Sequence, residues 1–222
     1  IAAEHGARRC RGGASRVACC GVRWPVALVV VVEVAACGTA APAAPRPPST
    51  CPPDSAPDAA RDTRLRALLA TVPEGRALAD GWLSGVSAVC FGAGPRSVVT
   101  HEHAIVLEAR LGDAEAAARL GHLLVHERDG HPMGEAVTAE SDCDALVDDA
   151  LAREARAYAT EARLRRALAV TSPVMPFEIA EETAPLAPNL AEARWLAYLE
   201  AHPDGAPGID ALGRGYRAQC EH

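Results

Sequence analysis

Two histidines four residues apart, His122 and His126, sit inside the run Asp113 to Gly130, DAEAAARLGHLLVHERDG, and no other feature of the 222-residue chain restricts its chemistry as much. A helix turns about 100° per residue, so side chains at i and i+4 lie about 40° apart and both imidazoles can converge on one point. That is a metal-ligand spacing. The run itself predicts the helix: Asp113 suits the N-cap, Glu115 and the alanines favour helix, and Gly130 supplies a stop.

In this setting the segment His122-Leu123-Leu124-Val125-His126 resembles the H-E-x-x-H helix of zincin-class zinc peptidases, where the two histidines hold the metal and the glutamate is the general base. Leu123 stands where that glutamate would be. A leucine can neither take a proton from a water molecule nor pass one to a leaving amine. The gluzincin branch adds a glutamate ligand from the next helix, often as E-x-x-A-D, and here Glu140-Ser-Asp-Cys143-Asp144 follows His126. The resemblance runs over roughly residues 86 to 167. It implies His122, His126 and Glu140 around Zn²⁺, with Asp144 orienting a ligand imidazole from behind. With no glutamate at 123, it also implies weak or absent peptidase activity. Glu127, the nearest carboxylate in sequence, points about 100° away from His126 on a helix and is a poor substitute base.

All 22 basic residues are arginines and none is lysine, which excludes Schiff-base chemistry and lysine-dependent phosphate loops. The formal charge is −7, and the body after residue 36 is near −10, because five arginines and only two glutamates precede it. An acidic body repels phosphate backbones, so a nucleic-acid partner is not expected.

The first 36 residues read as a lipoprotein signal peptide: scattered arginines, then an apolar run of about a dozen residues from Trp24 onward, too short to span a bilayer. Val34-Ala35-Ala36-Cys37 resembles a bacterial lipobox, which implies lipidation at Cys37 and anchoring to a membrane. Gly38 in the following position fits an outer-membrane or periplasm-facing location in the cell envelope by the same resemblance. Residues 37–58, rich in proline and alanine, favour extended polyproline conformations and read as a tether. Residues 59–222 then form a single globular domain.

Within that domain two short helices are expected, from Ala59 up to Pro73 and from Glu74 to Trp82. Strands follow at Val86–Phe91, Ser97–Thr100 and Ala104–Glu108. His101-Glu102-His103 falls at the turn between the last two, a solvated turn with no third partner defined by sequence. After the two-histidine helix, a long helix from about Ala139 to Val170 carries acids early and arginines late, as the helix dipole favours. Beyond several prolines, helices are expected from Asn189 to Ala201 and from Gly208 to Gln219. The fold class is therefore α+β and mainly helical, a small sheet followed by a two-histidine helix and an acidic second helix, zincin-like in order. Cys51, Cys90, Cys143 and Cys220 are an even set in an exported segment and suggest disulfides, with three pairings open; Cys143 could alternatively serve as a thiolate ligand. Against the metal-centred reading stands an envelope lipoprotein acting structurally or through a protein or peptide partner, its histidines incidental.

Overall fold

Arg61 shows how the chain fixes the start of its central helix. In the computed structural model, which describes residues 51–94, 96–100, 102–133, 138, 142–172 and 175–221, this buried guanidinium sits in α1 (Ala59–Ala70). It donates to the carbonyls of Ala109 and Leu111, pairs with Asp113 and lies 4.6 Å over the Phe91 ring. One side chain thereby gathers the turn that leads into the histidine helix. Asp58 caps α1 by accepting from the Arg61 amide at 2.9 Å, and Pro73 opens the next helix, α2 (Pro73–Trp82).

The sheet contains β1 (Ser55–Pro57), β2 (Ala88–Gly92), β3 (Val98–Val99) and β4 (Ala104–Glu108), in the order β1-β2-β4-β3. β2 and β4 run parallel and the outer pairs antiparallel. The short β3 lets the chain pass the far edge of β4 and return beside it, so no helix is needed in the crossover. β1 falls inside residues 37–58, the stretch expected to be a tether. The end of the stretch read as tether is a sheet edge, where proline is tolerated, and Cys51 is joined to Cys90 on β2.

α3 (Asp113–Asp129) carries both histidines; Gly112 is its cap, and Asp113 begins the helix, paired with Arg61 and Arg64. α4 (Cys143–Ala167) begins later than residue 139, with Asp142 accepting from the amides of Asp144 and Ala145. A helix that the sequence did not announce, α5 (Phe177–Thr183), sits between Pro176 and Pro185. α6 (Pro188–Ala201) and α7 (Leu212–Cys220) follow, and the last half-turn of α7 is bonded by Cys220 to Cys143 at the first residue of α4. The described residues are thus mainly helical with a small sheet. Both disulfides are accounted for, and Cys143 is not a thiolate ligand.

Two apolar cores meet at α4. One lies between the sheet, α1, α2 and α3; the other is built by α4 to α7 around fully buried Trp195. The Trp195 ring stacks on Tyr158 of α4 at 5.1 Å, and its indole N–H donates to the Thr183 hydroxyl at 2.9 Å. α3 and α4 can approach closely because position 121 has no side chain: a Cβ there would collide with Leu164 Cδ1 and come 3.8 Å from Leu69 Cδ2. Leu164 and Leu69 are fully buried and have little room to give way. Gly121→Leu should therefore lower stability by about 3 kcal/mol, the upper part of the usual cost of overpacking. Urea unfolding measures it, and an unchanged midpoint would mean the two helices separate freely.

Candidate metal centre

His122 and His126 are both buried on the α3 face that meets α4, and their rings stand at 73° to one another with Nε2 atoms 3.1 Å apart. Two nitrogen lone pairs cannot face each other at that distance without a proton or a cation between them. The carboxylate that completes the group is Glu154, from the middle of α4; its Oε2 lies 3.6 Å from each Nε2. A point equidistant from these three atoms is about 2.0 Å from each, which matches zinc–imidazole and zinc–carboxylate bond lengths of about 2.0 to 2.2 Å. His122, His126 and Glu154 could therefore hold a metal ion.

Surrounding groups fix each ligand. Tyr216 of α7 donates to Glu154 Oε1 at 2.6 Å, leaving Oε2 for the imidazoles. Glu161, two turns beyond Glu154 on α4, approaches His122 Nδ1 at 3.1 Å and pairs with Arg119 at 3.1 Å and Arg165 at 3.7 Å. The approach to Nδ1 is oblique, an electrostatic contact rather than an aligned hydrogen bond. Tyr158 meets the His122 ring edge-on at 4.8 Å. His126 Nδ1 is buried and, among the described residues, has no hydrogen-bond partner.

Charge explains why this cluster needs a cation. Glu115, Glu154 and Glu161 face two guanidiniums, Arg119 and Arg165, which leaves one negative charge uncompensated when both imidazoles are neutral. Burial opposes ionisation of Glu154, but the facing imidazoles of His122 and His126 outweigh it and hold the carboxyl far below its ordinary range. Glu161 is likewise raised by burial and lowered more strongly by Arg119 and His122, to about 2. His122 is lowered by burial and raised more by Glu154 and Glu161, so of the two imidazoles it takes up a proton the more readily in the metal-free protein. For His126 burial prevails over Glu154 and the pKa falls.

The group opens on a cleft of about 930 Å³ that Leu123, Arg119, Tyr158 and Tyr216 also line. Leu123 belongs at the same time to the apolar core. Among the described residues lining the cleft, the carboxylates are Glu108, Glu154 and Asp210. Glu108 is paired with Arg110 and Asp210 with Arg96, so neither stands free as a base in place of residue 123.

The structure brings together His122 and His126 as the helical spacing requires. Glu140 and Cys37 lie outside the described residues, and the carboxylate facing both rings is that of Glu154. Asp144 does not support an imidazole. It sits in the first turn of α4, ten residues and about 15 Å along the axis from Glu154, exposed and paired with Arg217 at 2.8 Å; the acid behind His122 is Glu161. Sequence reasoning passed over Glu154 and Glu161, although a signal existed. They fall on the same face of α4 as Leu151, Tyr158 and Arg165, where a period of 3.6 places buried residues, and a carboxylate on a buried stripe needs a cationic partner.

Comparison of the chain with protein-family models, curated proteins and solved structures gives no match.

The shifts set a pH dependence for the metal-free protein. Glu154 and Glu161 are depressed, so their contribution is present above the ordinary glutamate value of 4.5 and is lost as pH falls toward about 2. His122 is raised, so its contribution is complete below 6.5 and is lost as pH climbs through its folded value. His126 is depressed and acts oppositely, costing stability as pH falls below 6.5. Unfolding in chelator should show an acid decline below 4.5, and an alkaline decline that His122→Asn abolishes. A stability curve flat across both windows contradicts this assignment.

Proposed function

We propose that this chain is a lipid-anchored protein of the cell envelope whose zincin-like domain keeps a two-histidine, one-glutamate zinc site and has lost the proton carrier of a peptidase. The observation that carries the proposal is the convergence of His122 Nε2, His126 Nε2 and Glu154 Oε2 in a buried cleft where Leu123 replaces a base. Three protein ligands leave a position open toward the cleft, the pattern of catalytic rather than structural zinc sites. Bound zinc would supply Lewis-acid polarisation of a carbonyl. His122, His126 and Glu154 would hold it, and among the described residues lining the cleft none is free to take the proton that hydrolysis must move, so peptide cleavage would be absent or very weak. Two disulfides support an oxidising compartment. No helix among the described residues is long and apolar enough to cross a membrane; attachment at Cys37 rests on the lipobox-like sequence Val34-Ala35-Ala36-Cys37 alone.

A second reading draws on the same charge count: a proton on His122 balances the cluster without any metal. The domain would then be a structural or protein-interaction module.

Elemental analysis of the purified protein distinguishes the two. One zinc per chain at the buried site is expected, lost in His122→Ala and in Glu154→Ala; a wild-type protein that binds no zinc and is equally stable in chelator removes the first reading. Leu123→Glu should raise peptide hydrolysis in the zinc-loaded protein, and no gain would mean the cleft lacks more than a base. Anchoring is tested separately: Cys37→Ser should move the protein from the membrane fraction to the soluble one, and unchanged membrane association would exclude lipidation there.

A further inference from the structure

The chain neutralises its well-buried glutamates with arginine: Glu108 by Arg110, Glu115 by Arg165, Glu161 by Arg119 and Arg165. Two depart from that habit. Glu154 is the buried ligand already described. The other is Glu127, whose side chain is 7% exposed and which, among the described residues, has no arginine partner. It is faced by two imidazoles: His103 Nδ1 at 3.1 Å from Oε2 and His131 Nε2 at 3.2 Å from Oε1.

We propose that His103, Glu127 and His131 form a second metal site, facing solvent at the rim of the same cleft, for one divalent transition-metal ion of the zinc or copper type. The three residues come from different places in the fold. Glu127 is in the last turn of α3, and His131 follows it by four positions, just past Gly130, whose φ of +87° turns the chain. His103 comes from the turn before β4 with φ +59°, a left-handed conformation that costs a non-glycine residue about 1 to 3 kcal/mol. Its ring nevertheless reaches α3. One ligand atom from each residue lies within 4.8 Å of the others, and the N···O separations suit an ion bonded at about 2.0 to 2.2 Å.

Imidazole and carboxylate together select borderline divalent ions over calcium or magnesium. His103 and His131 are 43% and 35% exposed, so water completes the coordination and the ion exchanges more readily than one at the buried site. The two sites share a cleft but no ligand, since His126 and Glu127 are neighbours whose side chains diverge by about 100°. This inference does not depend on the buried site being filled.

Titrating the metal-free full chain with Zn²⁺ by calorimetry tests it. Two ions per chain are expected, one tight and one weaker. His131→Ala and Glu127→Gln should weaken the second event by at least the tenfold that loss of an outer-shell partner alone can cost, and leave the first intact. His122→Ala should do the reverse, so failure of either site is read independently. His103→Ala, on a different element, provides a second variant if His131→Ala disturbs folding, which far-UV circular dichroism would reveal. A single ion per chain that His122→Ala abolishes, or a second event indifferent to His103→Ala and His131→Ala, would reduce the cluster to a pair of histidine–glutamate salt bridges and overturn the proposal.

Discussion

The contact between α3 and α4 places three carboxylates, two guanidiniums and two imidazoles where water scarcely reaches, and the arrangement of the helices answers to that constraint. An unpaired charge in such a place costs several kcal/mol. Glu161 is fully buried and tolerable because Arg119 and Arg165 reach it from α3 and from its own helix. Glu154 is tolerable only if something positive sits among its oxygen and the two Nε2 atoms. A proton on His122 and a metal ion are competing occupants of that space, so the protonation state and the ligand chemistry of the site are one problem.

The remote end of the chain takes part through Tyr216. Its hydroxyl directs Glu154 by taking Oε1, and it lies one helical turn before Cys220, which is bonded to the first residue of α4. The disulfide therefore fixes α7 against the helix that supplies the carboxylate. Burial and the nearby Glu154 charge both hold the Tyr216 phenol well above its ordinary pKa, so it remains a donor. On the other side, Trp195 stacks on Tyr158 and Tyr158 meets the His122 ring edge-on, a continuous series of aromatic contacts from the second core to the site.

Much of this was legible in the chain. The helix around His122 and His126, the strand expected at Val86–Phe91 and found at Ala88–Gly92, the strand at Ala104–Glu108 and the break at Pro73 follow from periodicity and capping that depend on near neighbours only. What was not legible depended on distant partners. Ser55–Pro57 reads as an extended linker and becomes a strand because β2 and Cys90 are there to receive it. α5 is seven residues between prolines, too short to show a period. Asp144 resembled a supporting residue by its position in a family pattern, but an acid in the first turn of α4 is accounted for by the helix dipole and Arg217. Glu154 and Glu161 carry no motif. They stand out only through their place on the apolar stripe of α4, shared with Leu151 and Tyr158.

Leu123 links the stability of the fold to the position where, on the proposed zincin-like reading, a base would stand. It follows His122 directly, lines the cleft, and is 4% exposed within the core that joins the sheet to α3. Burying a leucine contributes about 1.5 to 3 kcal/mol. A glutamate at that position would forfeit the contribution and add a further carboxylate to a cluster already one negative charge in excess. Such a residue is sustainable when a divalent ion is bound and costly when only a proton is available. Leucine avoids that cost, and on the proposed reading it is also what leaves the site without a group to move a proton during hydrolysis.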